Sequence, residues 1–437
     1  MEQTKIETAN AAMGGDKPHY ELLDGLRGVA ALLVVWYHVF EGFAFAGGGV
    51  IQGINHGYLA VDFFFMLSGF VVGYAYDDRW KQGLTRKEFF RRRLIRLHPM
   101  VVIGALIGVA TFLIGGSQQW DGTQIPLSLT MLSMLCALFL LPAVPGTGVE
   151  VRGNGEMYPL NGPSWSLFFE YLGNLLYALL IRRFSTRWLT LWVALLGVAW
   201  SIFALSDAAG YGCIGVGWTL EEVNFPGGLL RMLFPFSFGL LLSRRFRPMK
   251  IRGAFWICAA VLFILFHVPY IEGSFTLCAA PPSASEAALP AVAVADASAA
   301  DASAAFAADA SVAAASEAVL PAAAASAEGF AICLNGLFEM LCVILFFPLL
   351  VWMGASGRTT DAFSTRCCRE LGQLSYPLYM VHYPLMYLFY AWLIREQRYT
   401  LGDTWQVVVP LYLGILLLAY ICLKCYELPV RRWLSRR

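Results

Sequence analysis

Two ionisable side chains, Arg27 and His38, stand eleven residues apart in a run that is otherwise apolar. At about 100° per residue that spacing makes three turns plus roughly 20°, so on a helix both share one face, roughly 16 Å apart along the axis. Asp24 falls about 40° from His38 on the same stripe. A neutral imidazole is well suited to moving a proton near neutral pH, and a guanidinium in register with it can guide or stabilise a negatively charged partner. The plainer reading makes Arg27 a flank residue reaching for the membrane interface and His38 a hydrogen-bonding group between helices. A second candidate pair, Arg93 and Arg96, lies three residues apart in Arg91-Arg92-Arg93-Leu94-Ile95-Arg96-Leu97-His98-Pro99. Membrane topology alone can demand such a cluster. Two guanidinium forks on one face also suit the pyrophosphate or 3′-phosphate of a nucleotide cofactor.

Other polar groups recur inside apolar runs, where each ionisable one costs about 2.5–3.5 kcal/mol at a helix centre. Asp62 precedes Phe63-Phe64-Phe65. Trp165 and Glu170 share the run from Pro163, and Tyr379 and His382 share the run from Ser375. Together they predict a polar cavity inside a helix bundle. Asp24, Asp62, Trp165, Tyr379 and His382 are its candidate lining, and Glu170 joins His38 and Arg27 as a candidate catalytic residue. Glu41, one turn beyond His38, either orients the imidazole or faces the outer loop.

The elements that must hold these residues follow from composition. The chain has 437 residues, 58% hydrophobic and only 14% charged, where a soluble domain carries roughly a quarter charged residues. That excludes a water-soluble enzyme, and a formal net charge of +1 gives no case for a nucleic-acid partner. Eleven apolar segments recur, at about 26–45, 57–76, 98–116, 126–142, 164–181, 188–206, 226–243, 253–272, 329–354, 372–394 and 405–425. Basic residues cluster in alternate loops, at Arg79–Arg96, Arg182–Arg187, Arg244–Arg252, Arg358–Arg369 and Arg431–Arg437. The positive-inside rule puts these in the cytoplasm together with both termini, which requires an even number of crossings. The short, proline-flanked segment at 126–142 is therefore read as re-entrant or interfacial, leaving ten spans. The expected fold is an all-α polytopic bundle in the inner membrane.

Residues 1–20 read as a polar tail without a cleavable signal peptide. The bundle then occupies 21–278 and 329–437, divided by an insert at 279–328 that is rich in Ala and Ser, acidic in bias and without a basic residue. The insert reads as low-complexity chain in an outer loop. Ten cysteines show no metal-binding spacing, and no metal is expected.

In order along the chain, "LDGLRGVAALLVVWYH", "GYLAVDFFFMLSGFVVG", "FFRRRLIRLHPM", "NGPSWSLFFEYLGNLLYAL", "LGQLSYPLYMVHYPL" and "YELPVRRWL" resemble the motifs of the acyltransferase-3 family of integral membrane O-acyltransferases. The resemblance covers nearly all of residues 20–435 outside the insert. It implies transfer of an acyl group, commonly acetyl, from cytoplasmic acyl-CoA to a hydroxyl of an extracytoplasmic glycan or lipid-linked acceptor. Carried over, His38 is the catalytic histidine and Arg27 its partner, while Arg93 and Arg96 hold CoA phosphates. Phe168-Phe169 before Glu170 departs from the family's usual Ser-Val-Glu. The chain ends just past its last span without the esterase-like domain of some relatives, so acceptor recognition is expected in the bundle and its outer loops. The rival reading is a secondary transporter, which shares spans and buried charges but needs ion-driven flux and no acyl-CoA.

Overall fold

The computed structural model describes residues 20–47, 55–249, 251–277, 330–357 and 362–436. The polar tail before residue 20 and the Ala-rich insert lie outside these residues. Thirteen α-helices are found among them: α1 (Glu21–Ala46), α2 (Ala60–Lys81), α3 (Arg86–Ile114), α4 (Leu127–Leu138), α5 (Ser164–Leu179), α6 (Thr186–Leu205), α7 (Asn224–Arg245), α8 (Ala254–His267), α9 (Leu334–Leu341), α10 (Phe347–Ser356), α11 (Ala362–Glu396), α12 (Leu401–Ile421) and α13 (Leu428–Ser435). Two four-residue strands, β1 (Ser274–Leu277) and β2 (Phe330–Cys333), pair antiparallel at the base of the insert. The fold is an all-α polytopic bundle.

Among the described residues eight helical segments are long and apolar enough to cross a bilayer. Two are composite: α9 and α10 join through a π-helical turn at Cys342–Phe346, and α12 and α13 through another at Cys422–Glu427. The segment expected at 126–142 forms only the 12-residue α4, about 18 Å long against a hydrocarbon core of about 30 Å. Its Leu127, Leu132 and Leu135 face outward, and only Thr130 and Ser133 are buried. The segment at 253–272 condenses to the 14-residue α8. α11, at 35 residues, is long enough to cross but not apolar enough to stand among the eight.

That polarity goes with its position. α11 packs along α1 more extensively than any other pair of elements. The approach is close because both helices carry glycine at the contact. A Cβ on Gly28 would meet the Leu371 carbonyl oxygen at 2.5 Å, and one on Gly372 would meet Asp24 Cβ at 2.5 Å. Two prolines shape α11 further. Pro384 has no N–H to offer the carbonyl of Met380, and that carbonyl instead accepts from Asn161 Nδ2 at 2.9 Å. The helix is thereby tied to the loop that leads into α5.

Both described chain ends meet at one end of the bundle. Glu21 lies 3.5 Å from Arg369, and Arg91 Nη2 donates to the Leu434 carbonyl at 3.3 Å. We call this the basic end. At the far end the connecting segments knit together: a bridge joins Glu156 to Thr219 and another Asn55 to Pro269, and Ile214 N donates to Glu339 at 3.1 Å. α3 starts at Arg86, well before its apolar run. Thr85 caps it by accepting from the Glu88 N–H at 3.2 Å, a capping box that carries helix into the arginine cluster.

Candidate active site

A cavity of about 390 Å³ opens among α1, α2, α3, α5, α11 and the α12–α13 segment. Along α2 it runs from Val71 to Val61, ten residues or about 15 Å of helix rise. Of the residues expected at the site it brings together Asp24, Arg27, Arg93, Arg96, Glu170 and Tyr379. Arg27 is held by three partners: Asp24 Oδ1 at 3.0 Å, Ser375 Oγ at 2.9 Å and the Gly372 carbonyl at 3.0 Å. The α1–α11 contact thus fixes the guanidinium in the cavity wall. Glu170 accepts from Arg93 Nη2 at 2.5 Å and from Ser68 Oγ at 2.8 Å, joining three helices. Arg96 lines the cavity with no hydrogen bond or ion pair among the described residues.

His38 and His382 stand one layer beyond this lining. Tyr379, hydrogen-bonded to Ser166 Oγ at 2.7 Å, packs its ring against Phe64 on one side and His382 on the other. The His382 ring in turn lies 5.1 Å from that of His38, centre to centre, tilted 30°. His38 Nδ1 meets Glu41 Oε2 at 2.6 Å. A carboxylate can only accept there, so the proton sits on Nδ1 and Nε2 keeps its lone pair. Glu41 also accepts from Tyr390 at 2.9 Å and Tyr37 at 3.2 Å, and Tyr390 shares its hydroxyl with the His38 carbonyl at 2.7 Å. The imidazole is fixed in tautomer and orientation by a carboxylate that is itself well satisfied. His382 donates from Nδ1 to the Leu378 carbonyl at 3.1 Å, and its buried Nε2 has no partner.

Asp62 and Trp165 are placed elsewhere. Asp62 is fully buried against Arg231, at 2.6 Å and 3.2 Å, and the guanidinium also donates to the Val216 carbonyl at 2.8 Å. The Trp165 ring lies 5.3 Å from that guanidinium. Neither residue lines the cavity. Their cluster continues through Tyr58, which donates to Glu339, and locks α2, α7 and α9 to the 206–223 segment.

Beyond His38, towards the far end, Tyr387 donates to Glu156, and Asn154 Nδ2 donates to the same carboxyl at 2.9 Å. Burial pushes the Glu156 carboxyl up to about 7, against the pull of those donors and of Arg152. The Arg152 guanidinium lies 3.8 Å from the Tyr387 ring centre. Residues that spacing did not single out include Ser68, Ser375, Glu427, Arg369 and Arg431, all lining the cavity. Glu427 and Arg431 lie inside "YELPVRRWL", so the motif marked the place without saying which side chains turn inward. Among the described residues no group of His, Cys, Asp or Glu is placed to hold a metal ion.

A polytopic bundle with a charged cavity beneath an oriented histidine defines a class of membrane protein, and comparison with known sequences narrows it. The acyltransferase domain family matches residues 20–424, and the chain belongs to that family. It is 35% identical over 164 residues to "Protein 2 in picA locus" of Rhizobium radiobacter, covering 36% of this chain and 80% of that one. It is 30% identical over 259 residues to "Acyltransferase MdmB" of Streptomyces mycarofaciens, covering 55% and 61%. Over 89 residues it is 35% identical to "Peptidoglycan O-acetyltransferase OatA" of Listeria monocytogenes, covering 20% and 13%. The match thus spans less than two thirds of the latter two relatives. No solved structure matches significantly.

Proposed function

We propose that the protein is an acyl-CoA-dependent O-acyltransferase of the inner membrane, moving an acyl group, acetyl in the first instance, to a hydroxyl of an extracytoplasmic glycan or lipid-linked acceptor. The observation that carries this reading is the 2.6 Å contact of His38 Nδ1 with Glu41, on the helix whose Arg27 lines the cavity. The basic end is taken as cytoplasmic, with both termini there. CoA phosphates seat among its arginines, and the pantetheine arm follows the cavity towards Tyr379. His38 Nε2 removes the proton of the acceptor hydroxyl, and that oxygen attacks the thioester carbonyl. The C–S bond breaks, and the thiolate of CoA recovers the proton from the imidazolium. The Glu41 carboxylate stabilises that imidazolium while it exists. Arg27 and Glu170 set the charge of the cavity through which the thioester passes.

The test compares cells carrying wild type, His38→Ala and a deletion, profiling surface glycans and lipids by mass spectrometry alongside the amount of protein in the membrane. An ester lost equally from the deletion and from stably made His38→Ala supports the reading and identifies the acceptor. An ester that survives in His38→Ala but not in the deletion makes His38 structural. If no ester changes in either strain, the transporter reading moves forward.

A further inference from the structure

The cavity wall at the basic end holds five arginines, and four of them face carboxylates: Arg27 with Asp24, Arg93 with Glu170, Arg369 with Glu21 and Arg431 with Glu427. These pairs differ in how readily an incoming anion could displace the carboxylate. Arg27 is held by three partners on two helices. Arg93 is only 5% exposed, and its Glu170 is shared with Ser68. Arg369, by contrast, is 59% exposed and reaches Glu21 through a single contact of 3.5 Å. Arg431 is 39% exposed and meets Glu427 through one contact at 3.0 Å, while the buried second oxygen of Glu427 has no partner. Arg96 has no counter-charge to displace. Exposed single-contact pairs exchange partners at little cost, whereas a buried, shared pair does not.

The three available arginines come from three different helices, α3, α11 and α13. Arg91, bonded to the Leu434 carbonyl, holds α13 beside α3, and Lys424, 3.9 Å from Glu370, holds the end of α12 near α11. A guanidinium offers a planar fork that matches phosphate oxygens, and several converging forks suit a ligand carrying more than one phosphate.

We propose that the phosphates of the CoA donor are clamped by Arg96, Arg369 and Arg431, and that Arg93 is a positioning residue that holds Glu170 in the cavity wall. This rests on the reading of the cavity as the donor site. It separates two arginines that the sequence motif presents as equals, and adds two that lie far along the chain from them.

The experiment uses the full chain in nanodiscs and measures binding of CoA, 3′-dephospho-CoA and pantetheine by calorimetry. Wild type binds CoA more tightly than pantetheine. Arg369→Gln and Arg431→Gln each weaken CoA binding about tenfold, leave pantetheine binding unchanged, and so narrow the gap between the two ligands. Arg369→Lys and Arg431→Lys, which keep the charge, recover part of the loss and show that the Gln variants are folded. Arg93→Gln lowers kcat with the KM for acetyl-CoA unchanged, and Arg93→Lys partly restores kcat. If the two Gln variants keep wild-type affinity while Arg93→Gln loses it, the clamp is wrong and Arg93 is the phosphate ligand. If wild type itself binds no CoA, it is the donor-site reading that fails.

Discussion

Asp62 with Arg231 and Glu170 with Arg93 are both acid–arginine pairs buried in a membrane bundle, yet their surroundings differ. Asp62 and Arg231 are 0% and 2% exposed, and the guanidinium spends its remaining donors on the carbonyls of Val216 and Tyr58. Glu170 is 20% exposed and opens on the cavity, and Arg93 keeps a buried Nε without a partner. One pair belongs to a sealed network at the far end; the other is part of the wall of a space built to receive something. Charge inside an apolar run therefore does not by itself mark function. What distinguishes the two is whether the hydrogen-bonding capacity is used up and whether any of it faces a void.

Removing one partner gives the largest expected difference. Asp62→Ala leaves Arg231 buried and unpaired, at a cost of about 3–5 kcal/mol, read as a sharp fall in melting temperature in detergent. Asp62→Leu combined with Arg231→Met restores much of it, since apolar replacement of a sealed pair is often neutral. A cavity pair that destabilised the fold as severely when broken would erase the distinction.

The far end is also where pH acts on stability. Glu156 titrates at about 7 in the folded protein against an ordinary 4.5, because burial disfavours its charge. The folded state therefore binds the proton more tightly than the unfolded one, and stability falls as pH rises from 4.5 to about 7. A shift of that size is worth about 3 kcal/mol at most. Melting curves from pH 5 to 8 are expected to decline for wild type and to flatten in Glu156→Gln.

The cavity pair predicts the opposite balance. Glu170→Gln still accepts from Arg93 and Ser68, so the loss of stability is about 1–2 kcal/mol, while turnover with acetyl-CoA falls well beyond that. A melting point that dropped in proportion to activity would place Glu170 with the structural pairs. The smallest effect on stability belongs to Arg96→Gln. With no partner to lose, its melting point stays put, and KM for acetyl-CoA rises about tenfold, equivalent to about 1.4 kcal/mol.

The helices were legible because apolar runs of about 20 residues are a strong signal. The run at 164–181 became Ser164–Leu179 and that at 188–206 became Thr186–Leu205. Boundaries failed where helix continues past the apolar stretch, as in α3, which begins twelve residues before the expected 98, and α11, which begins ten before 372. Hydropathy does not register a capped, charged turn. At the site, Asp24, Arg27, Arg93, Arg96, Glu170 and Tyr379 were readable because they recur in ordered motifs on facing helices. The location of Asp62 was not, since it depends on Arg231, 169 positions away, entering the same layer. Nor did spacing reveal that Glu41 turns towards His38 rather than the loop. Both outcomes fitted one turn of helix, and three tyrosines from two helices decided between them.

The π-helical turn at Cys422–Glu427 carries a consequence for how the last helix tolerates change. Such a turn accommodates one residue more than an α-helix would over the same stretch, and that extra residue sets the rotation of everything after it. Deleting a single residue there would turn α13 by about 100°, carrying Arg431 off the cavity while leaving the composition of the span almost untouched. Substitutions along this stretch are local events, but a change in its length rewrites the phase of the helix, so the final segment is constrained by counting as much as by chemistry.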